Sequence, residues 1–357
     1  MSEQNQAINF RSLYPRLLSF GIGYGDLERI TKQVNDWPSF SRAMADMGEH
    51  WDHMADKAYK SGCLETPRQH CLRAAAYFHY AQLRLHDSLM KEGLRRASRR
   101  AYEKYATLAD PPIIRCEIPF QSMTLPGYLR VRKPGPCVIL IGGLDSAKEV
   151  ELHHFAEVFF NRCCSVFYFD GPGQGELYGR SSMAIGFENA VSSVIKFLSS
   201  DPRAQAGTVG CFGVSFGGYL ACLSSAANPR VSACISIGGF FDHRILPNLP
   251  PVAAGTVRTS FGLPSGANMN ELNRYITLEP QRGNMKAPLL IVHGTADHLV
   301  DAGQIHAMKG WAAGPVETMV LEGSEHVCSD RFNKCLPLMG DWMASWLLHK
   351  NESVAVI

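Results

Sequence analysis

The hydrophobic positions of the chain follow two different patterns, and the change between them falls near residue 110. Before that point apolar residues recur every three to four positions, which is typical of amphipathic helices. After it they form short, uninterrupted runs bounded by glycine, with helical stretches between most of them. Strands that are apolar on both faces and alternate with helices predict a largely parallel sheet covered by helices on both sides.

Residues 1–110 are predicted to form a helical domain. The clearest helix begins at Thr66-Pro67, where an N-cap residue is followed by proline at the first helical position. We expect this helix to end near Gly93. Its apolar face is expected to carry Ala74, Phe78, Ala81, Leu85 and Leu89.

A domain boundary is predicted where the helical pattern stops. A second helix, over 94–107, runs into Asp110-Pro111-Pro112, and proline lacks the N–H that a helix needs.

The second domain, 111–357, opens with an alternating pattern over 113–133 that predicts an antiparallel edge pair. It also contains a proline-rich insertion over about 240–286, which is expected to form part of a cover over the strand ends. The buried strands are expected at 137–143, 164–171, 208–213, 231–239, 288–294 and 316–323.

The composition narrows the class of protein. The 357 residues are 46% hydrophobic and 19% charged, with a formal net charge of +2. So small a charge provides no field that would attract nucleic acid or a membrane surface. The eleven cysteines lack the spacing of a zinc site, and the N-terminus has no secretory apolar core. We therefore expect a cytoplasmic protein with no metal, no membrane span and no nucleic-acid partner.

Ser215 stands at a corner where a strand-like run gives way to a helix-like one. It lies between Gly213 and Gly217 in the sequence GVSFGG, and the neighbouring glycines leave room for a tight turn. In an open α/β sheet, ligands bind beyond the carboxyl ends of the strands, which is where this turn places the serine. The G-x-S-x-G pattern in this context predicts a nucleophile; the alternative is a glycine corner with an incidental serine.

A serine nucleophile needs a base, and the base needs an acid that orients it. His326 follows the last predicted strand, and Asp297 follows the strand before it. The chain order Ser, Asp, His matches that of the nucleophile-elbow hydrolases, so all three fall at one edge of the sheet. The competing candidates are assigned to helices: Asp301 and His298 to the helix after Asp297, and His153 and His154 to an earlier one.

An acyl-transfer site also needs donors for the oxyanion. The backbone N–H of Phe216, next to the nucleophile, is the first candidate, and that of Leu144, in the loop after the strand at 137–143, is the second. The sequence FDGPGQGE (169–176) does not satisfy the dinucleotide pattern G-x-G-x-x-G, so we interpret it as a tight turn. No cofactor is expected.

Three motifs carry a resemblance to a known family. They are GGLDSAKE (142–149), DGPGQGE (170–176) and GVSFGG (213–218), preceded by a helical domain that contains GYGDLERI and RAAAYFHYAQ. With these motifs the chain resembles the α/β-hydrolases related to 2,6-dihydroxypseudooxynicotine hydrolase and to the fungal enzymes that shorten polyketide chains. The resemblance covers nearly the whole chain.

The resemblance implies a cofactor-free serine hydrolase with an α/β-hydrolase fold and an N-terminal domain that covers the active site. Members of this family cleave carbon–carbon bonds beside a ketone and are often dimeric, so a homodimer is expected. By motif position the nucleophile is Ser215, the acid Asp297 and the base His326. The family's polar substrate contacts do not carry over, because the insertion holds Asp242, His243 and Arg244 but few other charged groups before Arg258.

The sequence leaves the substrate open. A small molecule with a ketone or 1,3-dicarbonyl group is favoured, while an esterase or thioesterase, an acyl-transferring or cyclising enzyme, and a non-catalytic binding protein remain alternatives. Candidates for substrate contact are Asp145, beside Leu144, and Tyr77, His79 and Tyr80 on the predicted N-terminal helix.

Overall fold

The computed structural model describes residues 9–85, 88–132, 134–264 and 266–348. The chain forms two compact units, Met1–Pro112 (unit 1) and Ile113–Ile357 (unit 2). The division falls at the proline pair that interrupts the helical pattern.

Unit 1 is helical in its described residues. The helix α3 begins with a capping box, in which the N–H of Ser39 donates to Asp36 Oδ1 (2.7 Å) and the N–H of Asp36 donates to Ser39 Oγ (3.3 Å). Helix α4 packs against both α3 and α5, so these three helices form the body of the unit. The helices are α1 (Tyr14–Ser19), α2 (Tyr24–Gln33), α3 (Trp37–Lys60), α4 (Glu65–Ala81) and α5 (Ser88–Leu108).

The prediction of one continuous helix from Thr66 to Gly93 was wrong. Helix α4 starts at Glu65, so Thr66 lies in its first turn and is not the N-cap. The helix ends at Ala81, and the turn that follows contains neither glycine nor proline. Nothing in the sequence therefore marks the end of the helix. Leu89 lies on α5 and is 83% exposed, and Gly93 lies inside that helix. The second predicted helix, 94–107, is the later part of α5.

Within the described part of the chain, unit 2 contains an eight-stranded sheet in the order β1-β2-β4-β3-β5-β6-β7-β8. Strand β2 pairs antiparallel with β1 and β4, and the other pairs are parallel. The edge pair and the six strands predicted after it are confirmed, except that β8 is an edge strand and is only partly buried, with Val320 55% exposed. Their bounds are β1 (Ile114–Phe120), β2 (Met123–Arg130), β3 (Cys137–Ile141), β4 (Ser165–Phe169), β5 (Val209–Val214), β6 (Val231–Ile237), β7 (Leu289–Gly294) and β8 (Val316–Leu321).

Both faces of the sheet are covered, because successive residues of a strand point to opposite sides. Cys211 of β5 belongs to a core shared with α7 and α8, whereas the next residue, Phe212, packs its ring against Phe155 and Phe159 of α6. Helix α11 packs beside α6. The helices are α6 (His153–Phe160), α7 (Phe187–Ser200), α8 (Phe216–Ala227), α9 (Pro251–Ser260), α10 (Ala302–Trp311) and α11 (Phe332–Leu348).

In its described residues, the insertion between β6 and β7 contains α9 and three short 3₁₀ helices. Its first residues are held by Gln304 of α10, whose Oε1 accepts the N–H groups of Phe241 (2.8 Å) and Asp242 (3.0 Å). Among the helices of the described ranges, none has the length and apolar character needed to cross a bilayer.

Candidate active site

Ser215 occupies the corner between β5 and α8. Its backbone dihedrals are φ 56° and ψ −124°, a combination that non-glycine residues rarely adopt. Two backbone hydrogen bonds hold the corner: the Ser215 N–H donates to the Ile237 carbonyl (2.8 Å), and the Ser215 carbonyl accepts from the Gly218 N–H (2.8 Å). The strand-to-helix turn predicted around Ser215 is therefore present.

Close backbone approach explains the glycines on either side. A β-carbon at Gly213 would overlap the carbonyl oxygen of Gly217. A β-carbon at Gly217 would overlap the carbonyl oxygens of Ile141 and Gly142, at the end of β3. The two glycines therefore let α8 start directly against the neighbouring loop, which places the serine beside that loop.

Gly213→Ala is expected to lower the free energy of unfolding by at least about 1–3 kcal/mol, the usual cost of overpacking a closely packed site. Gly207→Ala is the matched control, because a β-carbon at Gly207 would meet no atom within 4 Å. Its effect should stay within about 0.5 kcal/mol. Urea denaturation of both variants measures the difference, and equal stability would contradict the assigned role of Gly213.

A continuous chain of hydrogen bonds links Ser215, His326 and Asp297. Ser215 Oγ lies 2.8 Å from His326 Nε2, and His326 Nδ1 lies 2.7 Å from Asp297 Oδ2. Asp297 follows β7 and His326 follows β8. The three residues, far apart in sequence, meet because parallel strands end at one edge of the sheet.

Asp297 is built to remain ionised. Its side chain is fully buried, and its Oδ1 accepts the N–H groups of Leu299 (2.8 Å) and Val300 (3.0 Å). Burial raises the pKa of this carboxyl, but the hydrogen bond to His326 and the two N–H donors outweigh it, so the net pKa shift is downward. A fixed carboxylate at Nδ1 sets the ring orientation of His326.

The backbone after His326 takes a conformation that the sequence did not reveal. Val327 (φ 58°) and Cys328 (φ 56°) are consecutive left-handed residues, although neither is glycine and valine is β-branched. Strained dihedrals of this kind persist only where the surrounding structure enforces them. They turn the chain sharply just after His326, the residue that contacts Ser215 Oγ.

The two expected oxyanion donors, Phe216 and Leu144, lie at the start of α8 and in the loop after β3. Phe216 is the first residue of α8, so its N–H has no partner within the helix. In the loop after β3, a β-carbon at Gly143 would lie only 3.2 Å from Ser215 Cβ, so this backbone packs against the serine. The Gly143 N–H donates to Ser146 Oγ (3.1 Å), which leaves the Leu144 N–H as the candidate. The role of both donors stays a prediction.

The competing candidates have other contacts. Asp301 is the N-cap of α10 and accepts the N–H groups of Gly303 and Gln304. The assignment of His298 to that helix was wrong, because it is an exposed residue in the preceding loop. His153, the first residue of α6, is buried, and burial lowers its pKa to about 3. His154, also in α6, stacks on Phe332.

The proposed substrate contacts of the N-terminal helix lie on α4 and are buried. Within unit 1, the Tyr77 hydroxyl donates to Asp26, and the rings of His79 and Tyr80 lie 4.9 Å apart. Asp145 is half-buried in the loop after β3. For all four residues, contact with substrate stays a prediction.

A cluster of charged residues around the buried Lys148 was not predicted from the sequence. The ammonium of Lys148 contacts Asp170 (2.6 Å), Glu149 (2.7 Å) and Glu176 (2.7 Å). Burial opposes the charge of Lys148, but the three carboxylates prevail and raise its pKa well above the ordinary value. Arg115 of β1 forms two further hydrogen bonds to Glu176. The cluster ties the helical turn Lys148–Leu152, which follows β3, to the loop after β4, and no local pattern marks Lys148 as buried.

The loop 170–176 contains the predicted tight turn, in which the Gln174 N–H donates to the Gly171 carbonyl (3.0 Å). Among the described residues, no group of three or more His, Cys, Asp or Glu side chains is arranged to hold a metal ion.

Comparison with known proteins adds to this geometry. A family model described as "Esterase FrsA-like" matches residues 45–254. The chain is 27% identical over 336 residues to 2,6-dihydropseudooxynicotine hydrolase of Paenarthrobacter nicotinovorans, covering 92% of this chain and 90% of that one. It is 33% identical over 224 residues to 20-hydroxy-prefusarin hydrolase of Gibberella moniliformis, covering 58% of this chain and 53% of the relative.

The same likeness is found among solved structures. The crystal structure of the 2,6-dihydroxy-pseudo-oxynicotine hydrolase matches with a TM-score of 0.86 and 25% identity, over 96% of this chain and 97% of the other. The α/β-hydrolase fold and the family resemblance drawn from the motifs are thereby confirmed.

Proposed function

Because the chain belongs to the FrsA-like esterase family, we propose that it is a serine hydrolase that attacks a carbonyl group of a small molecule without a cofactor. The observation that carries the proposal is the hydrogen-bonded chain from Ser215 through His326 to Asp297. A serine hydroxyl is a poor nucleophile until a base takes its proton. His326 Nε2 is within reach of that proton, and the Asp297 carboxylate stabilises the imidazolium that forms.

The first step follows from the geometry. Ser215 Oγ bonds to the substrate carbonyl carbon, its proton passes to His326, and the carbonyl electrons move to the oxygen. The N–H groups of Phe216 and Leu144 are the proposed donors to this oxyanion. Such donors contribute about 3 kcal/mol each to transition-state stabilisation.

The second step depends on the leaving group. His326 returns the proton to the departing atom, and water then releases the acyl group from Ser215. We propose that the departing atom is a carbon made acidic by an adjacent carbonyl, as in an aryl ketone or a polyketide-like 1,3-dicarbonyl. The support is the 27% identity, over 92% of the chain, to 2,6-dihydropseudooxynicotine hydrolase, together with the motif resemblance, which implies carbon–carbon cleavage beside a ketone. Ester cleavage is the second candidate, favoured by the description of the matching family model.

Labelling with a fluorophosphonate, combined with a substrate panel, tests the proposal. We expect covalent labelling of the peptide that contains Ser215, and hydrolysis of a 1,3-dicarbonyl into a carboxylic acid and a ketone, identified by mass. Turnover of aryl esters alone would favour the esterase. A chain that binds panel compounds without labelling or turnover would be a binding protein.

Three further expectations belong to this proposal. The eleven cysteines form no disulfide, and Cys63 and Cys163 are exposed thiols, which supports a reducing compartment such as the cytoplasm. The homodimer that the resemblance implies stays a prediction, for which light scattering of the full chain is the measurement. The covering role of the N-terminal domain, 1–110, also stays a prediction.

A further inference from the structure

One peptide group in the loop after β3 is held at both ends by side chains. The Gly142 carbonyl accepts a hydrogen bond from Gln174 Nε2 (2.6 Å), and the Gly143 N–H donates to Ser146 Oγ (3.1 Å). Both groups belong to the same planar peptide. Two hydrogen bonds on opposite sides therefore fix the orientation of that plane.

The next peptide carries the N–H of Leu144. Only the φ and ψ angles of Gly143 separate this N–H from the fixed plane. Glycine is favoured there because a β-carbon would crowd the Val214 carbonyl oxygen (3.0 Å) and Ser215 Cβ (3.2 Å). Glycine also has the widest choice of backbone angles, so this position needs an external restraint. The Gln174 and Ser146 hydrogen bonds restrain the peptide on the N-terminal side of Gly143.

Gln174 is itself firmly held. Gln174 is only 4% exposed. Its Oε1 accepts the Gly171 N–H (3.2 Å), and its Nε2 donates to the Gly142 carbonyl. Asp170 and Glu176, on either side of it in the chain, are both bound by the buried Lys148 ammonium. The charge cluster thus anchors the loop that carries Gln174.

We propose that Gln174 and Ser146 are positioning residues of the oxyanion hole, which hold the peptide between Gly142 and Gly143 so that the Leu144 N–H faces the tetrahedral oxyanion. The inference rests on the proposed function. Donors of this kind act chiefly in the transition state, so their orientation governs kcat and leaves KM nearly unchanged.

Gln174→Met tests the proposal, because methionine keeps the length of the side chain and removes both hydrogen bonds. The readouts are kcat, KM and the inhibition constant of an aryl trifluoromethyl ketone, to which Ser215 Oγ adds while its proton passes to His326. The carbonyl oxygen becomes an oxyanion in the hole. We expect kcat and the affinity for this ketone each to fall by about 10- to 100-fold, somewhat less than loss of a donor itself, with KM within about threefold.

Gln304→Met is the matched control. Gln304 is also a buried glutamine whose amide binds loop backbone, at Phe241 and Asp242. The melting temperature should fall in this variant, while the ratio of ketone affinity to KM should stay within about threefold of wild type. If Gln174→Met and Gln304→Met lower the melting temperature alike and neither changes that ratio, Gln174 is only structural and the proposal is overturned.

Ser146 provides an independent arm should Gln174→Met fail to fold. Ser146→Ala should show the same selective loss of kcat and ketone affinity, and Ser146→Thr, which keeps the hydroxyl, should restore most of it. Loss of neither in a folded Ser146→Ala protein contradicts the proposal. Failure of the wild-type protein to react with the fluorophosphonate or bind the ketone counts against the proposed function itself, so the two failures are distinguishable.

Discussion

Ser215→Ala is expected to lower kcat by at least about 10³-fold on the best substrate of the panel while leaving the protein folded. The substitution removes the nucleophile and its one contact with His326 Nε2. The backbone hydrogen bonds of the corner, from the Ser215 N–H to Ile237 and from Gly218 to the Ser215 carbonyl, do not involve the hydroxyl. The melting temperature should therefore stay near that of wild type.

Ser224→Ala is the control for this prediction. Ser224 lies on the same helix, α8, is fully buried, and its Oγ has no hydrogen-bond partner among the described residues. Removing an unpaired buried hydroxyl is nearly neutral for stability, and kcat should stay within about twofold. A Ser215→Ala protein that keeps more than a tenth of the wild-type kcat would show that the nucleophile lies elsewhere.

The sheet and the elements that carry the candidate site were predictable because they depend on signals that are local in the chain. The apolar runs between glycines mark strands, and Gly213 and Gly217 mark two positions of the turn where a side chain would not fit. The C-terminal edge of a parallel sheet then brings Ser215, Asp297 and His326 together, whatever their separation in sequence. The hydrogen bonds of 2.8 Å and 2.7 Å are the outcome of that topology.

Other features depend on partners that no local pattern shows. Lys148 looks like an ordinary solvated charge in the sequence, and its burial is tolerable only because the carboxylates of Asp170 and Glu176 come to it from another segment. The helix break after Ala81 lacks glycine and proline. The left-handed Val327 likewise contradicts its own propensity and is imposed by its surroundings. Such misses occur where tertiary contacts override local preference.

Asp297→Asn is expected to lower kcat by about 10⁴-fold with little change in KM. Asparagine can keep its oxygen toward the Leu299 and Val300 N–H groups, which leaves its NH₂ facing His326 Nδ1. An N–H donor facing Nδ1 needs Nδ1 as an unprotonated acceptor, so the ring proton of His326 moves to Nε2. His326 Nε2 can then no longer accept the proton of Ser215. The geometry is preserved and the base is in the wrong tautomer, so the loss should appear in kcat.

Asp301→Asn is the matched control, since Asp301 is the competing acid only four residues away. It caps α10, and asparagine caps helices about as well as aspartate, so kcat and stability should change little. The pKa of Asp297 is lowered, so the stability this adds is present above the unfolded-state value of about 3.9 and lost as pH falls through the folded-state pKa. The difference in melting temperature between wild type and Asp297→Asn should therefore shrink as the pH falls below about 4. An active Asp297→Asn protein beside an inactive Asp301→Asn protein would transfer the acid role to Asp301.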